Sequence, residues 1–182
     1  MNLANNYIQI YDNFEKLEQN IAMILIQNKN LFKLLKYVDN DPLSHEIDEE
    51  TIDDMVTEYS SDGLLNPNCR VFFEPFIDSA LTSQISNIRI YPSVLNPDNV
   101  YIGDLYVQTD IIVHQAISKL KNGRRRNRIL SEIVKSLNGA EIKLAQILRI
   151  VDKSLILRQF KDNYWGYSIL FKTNVAASDF NG

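Results

Sequence analysis

Apolar residues recur every third or fourth position near the amino end of the chain: Phe14, Leu17, Ile21, Ile24, Leu31, Leu34, Leu35 and Val38. That spacing predicts a long amphipathic helix from Asp12 to about Tyr37, with Asp12 and Glu15 at the separation of a capping box. The run Gln27-Asn28-Lys29-Asn30 dilutes the stripe, so the helix would bend or break there. A short helix is predicted over Glu49–Tyr59, with Ile52, Met55 and Val56 facing inward, before Gly63 and Pro67 interrupt regular structure. Beyond Tyr101 the period changes to two. Leu105, Val107, Thr109, Ile111 and Val113 fall on one side, and Asp104, Tyr106, Gln108, Asp110, Ile112 and His114 on the other. This predicts a long strand over 100–114 with two unlike faces.

Further strands are predicted over Arg70–Phe76, Ile85–Tyr91, Ile142–Val151 and Trp165–Thr173. Pro92 and Asn96-Pro97-Asp98-Asn99 mark the tip of a hairpin that joins 85–91 to the long strand, and Asp162-Asn163 mark a turn. Within Ile117–Leu137 a helix is expected to begin near Arg124, burying Ile129, Ile133, Val134 and Leu137 and ending at Asn138-Gly139. The order is long helix, acidic connection, three strands, helix, two strands. It predicts an α+β fold, a mostly antiparallel sheet of about five strands flanked by an N-terminal long helix and a second helix. The expected segments are a helical region 1–38, an acidic connecting segment 39–69, a sheet-and-helix core 70–175 and a loose tail 176–182. At 182 residues they belong to one domain.

Composition (45% apolar, 23% charged) is that of an ordered soluble protein. The net charge of −4 hides a sharp division. Residues 1–69 carry 13 Asp and Glu against 4 Lys and Arg, and residues 70–182 carry 10 against 15. Opposite fields on two parts of one molecule favour contact between them, within a subunit or between subunits. Cys69 is the only cysteine, which excludes an internal disulfide and a cysteine-cluster zinc site and suits a reducing compartment. No signal-peptide pattern opens the chain, and the apolar run Ile21–Ile26 is too short to span a bilayer, so no membrane association is expected.

The strongest local charge feature is Lys119-Leu-Lys121-Asn-Gly-Arg124-Arg-Arg-Asn-Arg128, with six cations in ten residues. On a helix Arg124, Arg125 and Arg128 would gather on one side while Arg126 diverges. Their preferred role is an intersubunit salt-bridge surface facing acids such as Asp48, Asp53, Asp54 and Glu58, ahead of contact with passing DNA or a plain solvated face. Tyr106 belongs to an aromatic set that includes interface candidates, although most of its members read as core. One enzymatic pattern stands against this. Glu141-Ile-Lys143 puts a carboxylate and a lysine on one strand face, and with Asp104 or Asp110 it would suit a metal-dependent nuclease. Glu-x-Lys is common by chance, and an exposed pair at a sheet edge is the preferred reading. His45 and His114 have no ligand spacing around them, and no glycine run suits a phosphate cradle. No catalytic residue, metal or cofactor is expected.

In texture and order the chain resembles the neck and tail-completion proteins of tailed bacteriophages, tail terminators in particular. The resemblance covers about residues 12–173. It rests on the amino-terminal helix with Asn30-Leu-Phe-Lys-Leu-Leu-Lys-Tyr37 and Asp41-Pro-Leu43, then Arg89-Ile-Tyr-Pro92 and Gly103-Asp-Leu-Tyr-Val-Gln-Thr-Asp-Ile-Ile-Val113. The Arg-rich helix and Gly166-Tyr-Ser-Ile-Leu-Phe171 complete it. The acidic connection is longer than that pattern needs. The resemblance implies a structural virion protein that assembles in the host cytoplasm as a ring, hexameric by expectation, at the head–tail junction. There it would end the tail tube and bind tube and neck proteins. A head-closure or connector role is the alternative in the same assembly.

Overall fold

The apolar stripe at the amino end is cut in two by Asn28. A computed structural model describes residues 14–75, 83–97, 102–143 and 146–176. Helix α1 (Phe14–Leu25) buries Leu17, Ile21 and Leu25 at four-residue steps, and α2 (Lys29–Lys36) buries Leu31, Phe32, Leu34 and Leu35. Between them the Asn28 side chain accepts the Leu31 N–H at 3.1 Å, a capping bond that starts a new helix rather than continuing the old one. Its amide group donates to Ser136 Oγ at 2.9 Å, which fixes the break against a later helix. The predicted long helix is therefore a helix pair. Asp12 of the expected capping box lies outside the described residues, as do Phe76, residues 98–101 of the hairpin tip and residues 177–182 of the expected tail, whose first residue, Ala176, ends the last strand.

Helix α3 (Glu49–Val56) starts at Asp48, whose carboxylate accepts the Thr51 N–H at 2.7 Å, and buries Ile52 and Met55. Eight strands follow: β1 (Val71–Phe72), β2 (Ser86–Pro97), β3 (Ile102–His114), β4 (Lys119–Leu120), β5 (Gly123–Arg124), β6 (Arg149–Ile150), β7 (Ile156–Lys161) and β8 (Tyr164–Ala176), with α4 (Arg125–Leu137) between β5 and β6. The main sheet runs β1-β2-β3-β8-β6, with β7 also paired to β8. All of its pairings are antiparallel except β1 with β2, which is parallel. Strands β4 and β5 form a separate small hairpin.

The alternation read from β3 holds in three dimensions. Leu105, Val107, Ile111 and Val113 join Ile88, Ile90, Ile169 and Phe171 in the core, beneath Leu17, Ile21, Leu31, Leu34, Ile129 and Ile133 of the helices. The fold is two layered, with helices over one face of a mostly antiparallel sheet. Pro92 sits beside a register shift in β2, where a missing N–H is tolerated. Gly166 allows β8 to close on β3, since a Cβ there would lie 1.6 Å from the Ile111 carbonyl oxygen. At the end of α4, Gly139 takes φ +93°, the left-handed conformation expected of it. Among the described residues no helix is long and apolar enough to cross a membrane.

Three strand predictions need correction, and the first is Ile85–Tyr91, which does not stop at Pro92 but pairs with β3 as far as Pro97. Among the described residues of Ile142–Val151 only β6 is a strand, because the chain turns back at an isolated Glu141–Ile147 bridge. Of Arg70–Phe76 only β1 pairs, before Pro75.

Candidate assembly interface

Strand β7 is the part of the sheet that lacks a cover. It pairs with β8 on one side, and among the described residues no strand pairs with its other side. It also carries large apolar side chains in the open: Leu157 is 51% exposed, Ile156 58% and the preceding Leu155 47%. The register places Leu157 opposite Tyr167 and Gln159 opposite Trp165, so Leu157 and Trp165 share the helix-side face of the sheet. Trp165 remains 37% exposed because it lies beyond the reach of the helices. A shallow groove of about 450 Å³ runs between this corner and the start of α4, lined by Val113, Ser118, Arg124, Arg126, Leu157 and Trp165 among others. The Arg126 guanidinium sits 5.9 Å from the Tyr167 ring centroid.

The basic cluster divides differently from the sequence expectation. Arg125 is fully buried and cannot face a partner. It occupies the first position of α4, on the same stripe as Ile129, Ile133 and Leu137 at four-residue steps. Its guanidinium donates to the carbonyls of Ile117 at 2.9 Å, Leu34 at 2.7 Å and Tyr37 at 2.5 Å, and to that of Asp39. Arg125 thereby satisfies carbonyls left open at the carboxyl end of α2 and pins that helix to α4. Burial lowers its pKa, and the nearby Asp39 opposes that shift. Arg124 and Arg128 are exposed, and it is Arg126, not Arg125, that joins Arg124 at the groove.

The acids lie elsewhere. Asp48 is spent on capping α3, and the Thr51 N–H holds its carboxyl below the ordinary range. Asp53 is exposed. Asp54 accepts the Asn66 amide at 2.8 Å. Glu58 accepts the Phe73 N–H at 2.5 Å, and burial, helped by Glu74, raises its pKa. These residues flank β1, where Arg70 N–H donates to Met55 O at 2.8 Å. The acidic and basic segments meet within the subunit at Lys121–Asp41, 3.7 Å, and among the described residues no ion pair joins Asp48, Asp53, Asp54 or Glu58 to Arg124, Arg125 or Arg128.

The sheet face away from the helices carries a bonded polar group beside a small apolar cluster of Ile112, Tyr164, Ile85 and Phe160. Asp110, 2% exposed, accepts from Tyr91 Oη at 3.0 Å, Gln108 Nε2 at 2.9 Å and Ser168 Oγ at 2.5 Å. Burial and this carboxylate push the Tyr91 phenol up to about 12. Asp104 pairs with Lys172 and accepts from Asn174 Nδ2 at 2.7 Å. Tyr106 lies on this face, its ring 5.9 Å from Lys172 Nζ. It lines a wide groove with Glu141, Lys143, Arg149, Lys172 and Asn174. Glu141 and Lys143 both line this groove, and they lie at a bridge and turn rather than on a strand. Among the described residues no group of three or more His, Cys, Asp or Glu is placed to hold a metal ion. His45 stacks on Tyr37 and contacts Asp39 at 2.8 Å, and His114 accepts the Ala116 N–H. Cys69 is buried, and burial pushes its thiol up to about 12.

The exposed apolar residues of β7 escaped the sequence reading because that strand was not recognised. The signal was present: Leu155-Ile-Leu157, then four residues, then the Asp162-Asn163 turn, where Asn163 takes φ +67°.

Helices over one face of a mostly antiparallel sheet, with large apolar side chains and arginines exposed beside β7, define an α+β protein. The YomW family pattern matches residues 28–173, and the chain belongs to that family. The family carries the name of a phage-derived gene, which points to a phage-encoded protein. No curated protein matches the chain.

Proposed function

We propose that this protein is a noncatalytic virion component that closes into a ring at the head–tail junction, ends the tail tube and joins it to the neck. The observation that carries the reading is the uncovered β7 edge with Leu155, Ile156, Leu157 and Trp165 exposed beside it. Unpaired strand amides and carbonyls next to large apolar side chains are a template for another chain, and proteins that do not use such an edge normally blunt it. A contact of this kind repeated around a closed axis makes a stable ring from individually modest interfaces. In this reading the partners are further copies, six by expectation, together with the tail-tube protein and the head connector. DNA would pass through the opening, and the ring would form in the host cytoplasm before joining the particle.

Electron microscopy of the purified protein, with and without isolated tail tubes, tests the proposal. The expected images show rings with an axial opening that sit at tube ends. Rings that bind a portal or adaptor but ignore tube ends would shift the assignment to head closure. Metal-stimulated DNA cleavage that disappears in both Glu141→Ala and Lys143→Ala would replace the structural reading with nuclease chemistry.

A further inference from the structure

Building on the ring reading above, we infer that its contact is head-to-tail: the Tyr59–Leu65 turn of one copy seats in the Arg124–Trp165 groove of the next. The two surfaces lie at opposite ends of one sheet. At one end Arg70, just before β1, donates its N–H to Met55 O of α3 at 2.8 Å, and the Glu58 carboxylate after α3 accepts the Phe73 N–H just past β1. Past Glu58 the chain doubles back through a Tyr59–Leu65 bridge. At the other end β7 closes the sheet with its outer side open.

The two surfaces match in texture and oppose in charge. The turn exposes Leu64 at 66%, Leu65 at 49% and Tyr59 at 54%, all around Asp62. Bonds from Ser60 Oγ and the Leu64 N–H to the Asp62 carboxylate lower its pKa and so favour its charged form. Glu74 adds to the acidic side, since Tyr59 Oη donates to it at 2.9 Å. The groove sets Leu157 and Trp165 beside Arg124 and Arg126. Each end therefore offers large apolar side chains next to charge, negative at the turn and positive at the groove. Contact between like ends would set arginines against arginines or carboxylates against carboxylates, whereas contact between unlike ends pairs them. Unlike ends on one protomer are also what a closed ring requires, because a self-complementary patch alone stops at a dimer.

The test uses two full-length variants measured by size-exclusion chromatography with light scattering. One carries Asp62→Lys with Leu64→Lys, and the other Arg124→Glu with Leu157→Glu. The altered side chains are exposed, thermal melts check that each variant folds, and the milder Leu64→Ser and Leu157→Ser serve as a second pair. Each variant alone should be monomeric at concentrations where the wild type is assembled, a weakening of about 100-fold or more. An equimolar mixture should give a 1:1 heterodimer, because one intact turn then meets one intact groove and the chain of contacts ends. If the turn variant still assembles while the groove variant does not, the groove meets a surface other than the turn and the inference fails. If both assemble like the wild type, the contact lies elsewhere while the ring reading stands. A wild type that stays monomeric removes the ring reading itself.

Discussion

Replacing Arg125 with methionine keeps most of the side chain's bulk and removes every donor from the site. Four carbonyl oxygens, those of Ile117, Leu34, Tyr37 and Asp39, lose their partner together. A buried acceptor left unsatisfied costs about 1–3 kcal/mol, but the four share one donor group, so the losses do not add. Methionine also spares the fold the cost of desolvating a cation, which offsets part of the loss. The expected net destabilisation is about 3–5 kcal/mol. For a chain of this size that corresponds to a fall in Tm of roughly 6–20 °C. Urea titration followed by far-UV circular dichroism measures it directly. Arg124→Met is the matched control one residue away, where the side chain is exposed and the change should stay within about 0.5 kcal/mol. A loss below about 1 kcal/mol in Arg125→Met, with an unchanged denaturant slope, would refute the role of this guanidinium as the pin between α2 and α4.

Gly166→Ala should cost roughly 3 kcal/mol or more in the same titration, because a Cβ at 1.6 Å from the Ile111 carbonyl forces β8 away from β3; a melt unchanged within error would show that the strands are not so close. Glu58 gives a pH signature. Its folded-state pKa is raised above the unfolded value near 4.5, so the stability it contributes is full below that value and is lost as pH rises through the folded pKa. Glu58→Gln, measured by urea midpoints from pH 4 to 7, should remove that decline and leave the protein at least as stable at neutral pH. A variant that is less stable than wild type at pH 7 would contradict the sign.

The central pattern of the fold was legible because β3 has an unbroken period of two and because α1, α2 and α4 show four-residue apolar steps. What escaped reading had physical causes. Asn28 ends one helix by capping the next, a choice decided by its tertiary bonds to α4 rather than by local periodicity. Leu155-Ile-Leu157 is too short a run to separate strand from loop without its partner β8. Arg125 was grouped with Arg124 and Arg128 as a partner-facing cation, yet its four-residue phase with Ile129, Ile133 and Leu137 was visible and marked it for burial. The candidate interface was half anticipated: opposite charges on two parts of the molecule could be read from composition, whereas the exposed leucines and tryptophan beside them required the sheet order.

Native mass spectrometry of the purified chain across a concentration series, at near-physiological salt, tests the central claim most directly. The account predicts a closed oligomer of one stoichiometry that collapses to monomer when Leu157 and Arg124 are both replaced by glutamate. A monomer that persists through the whole series, or an oligomer indifferent to those replacements, would contradict it.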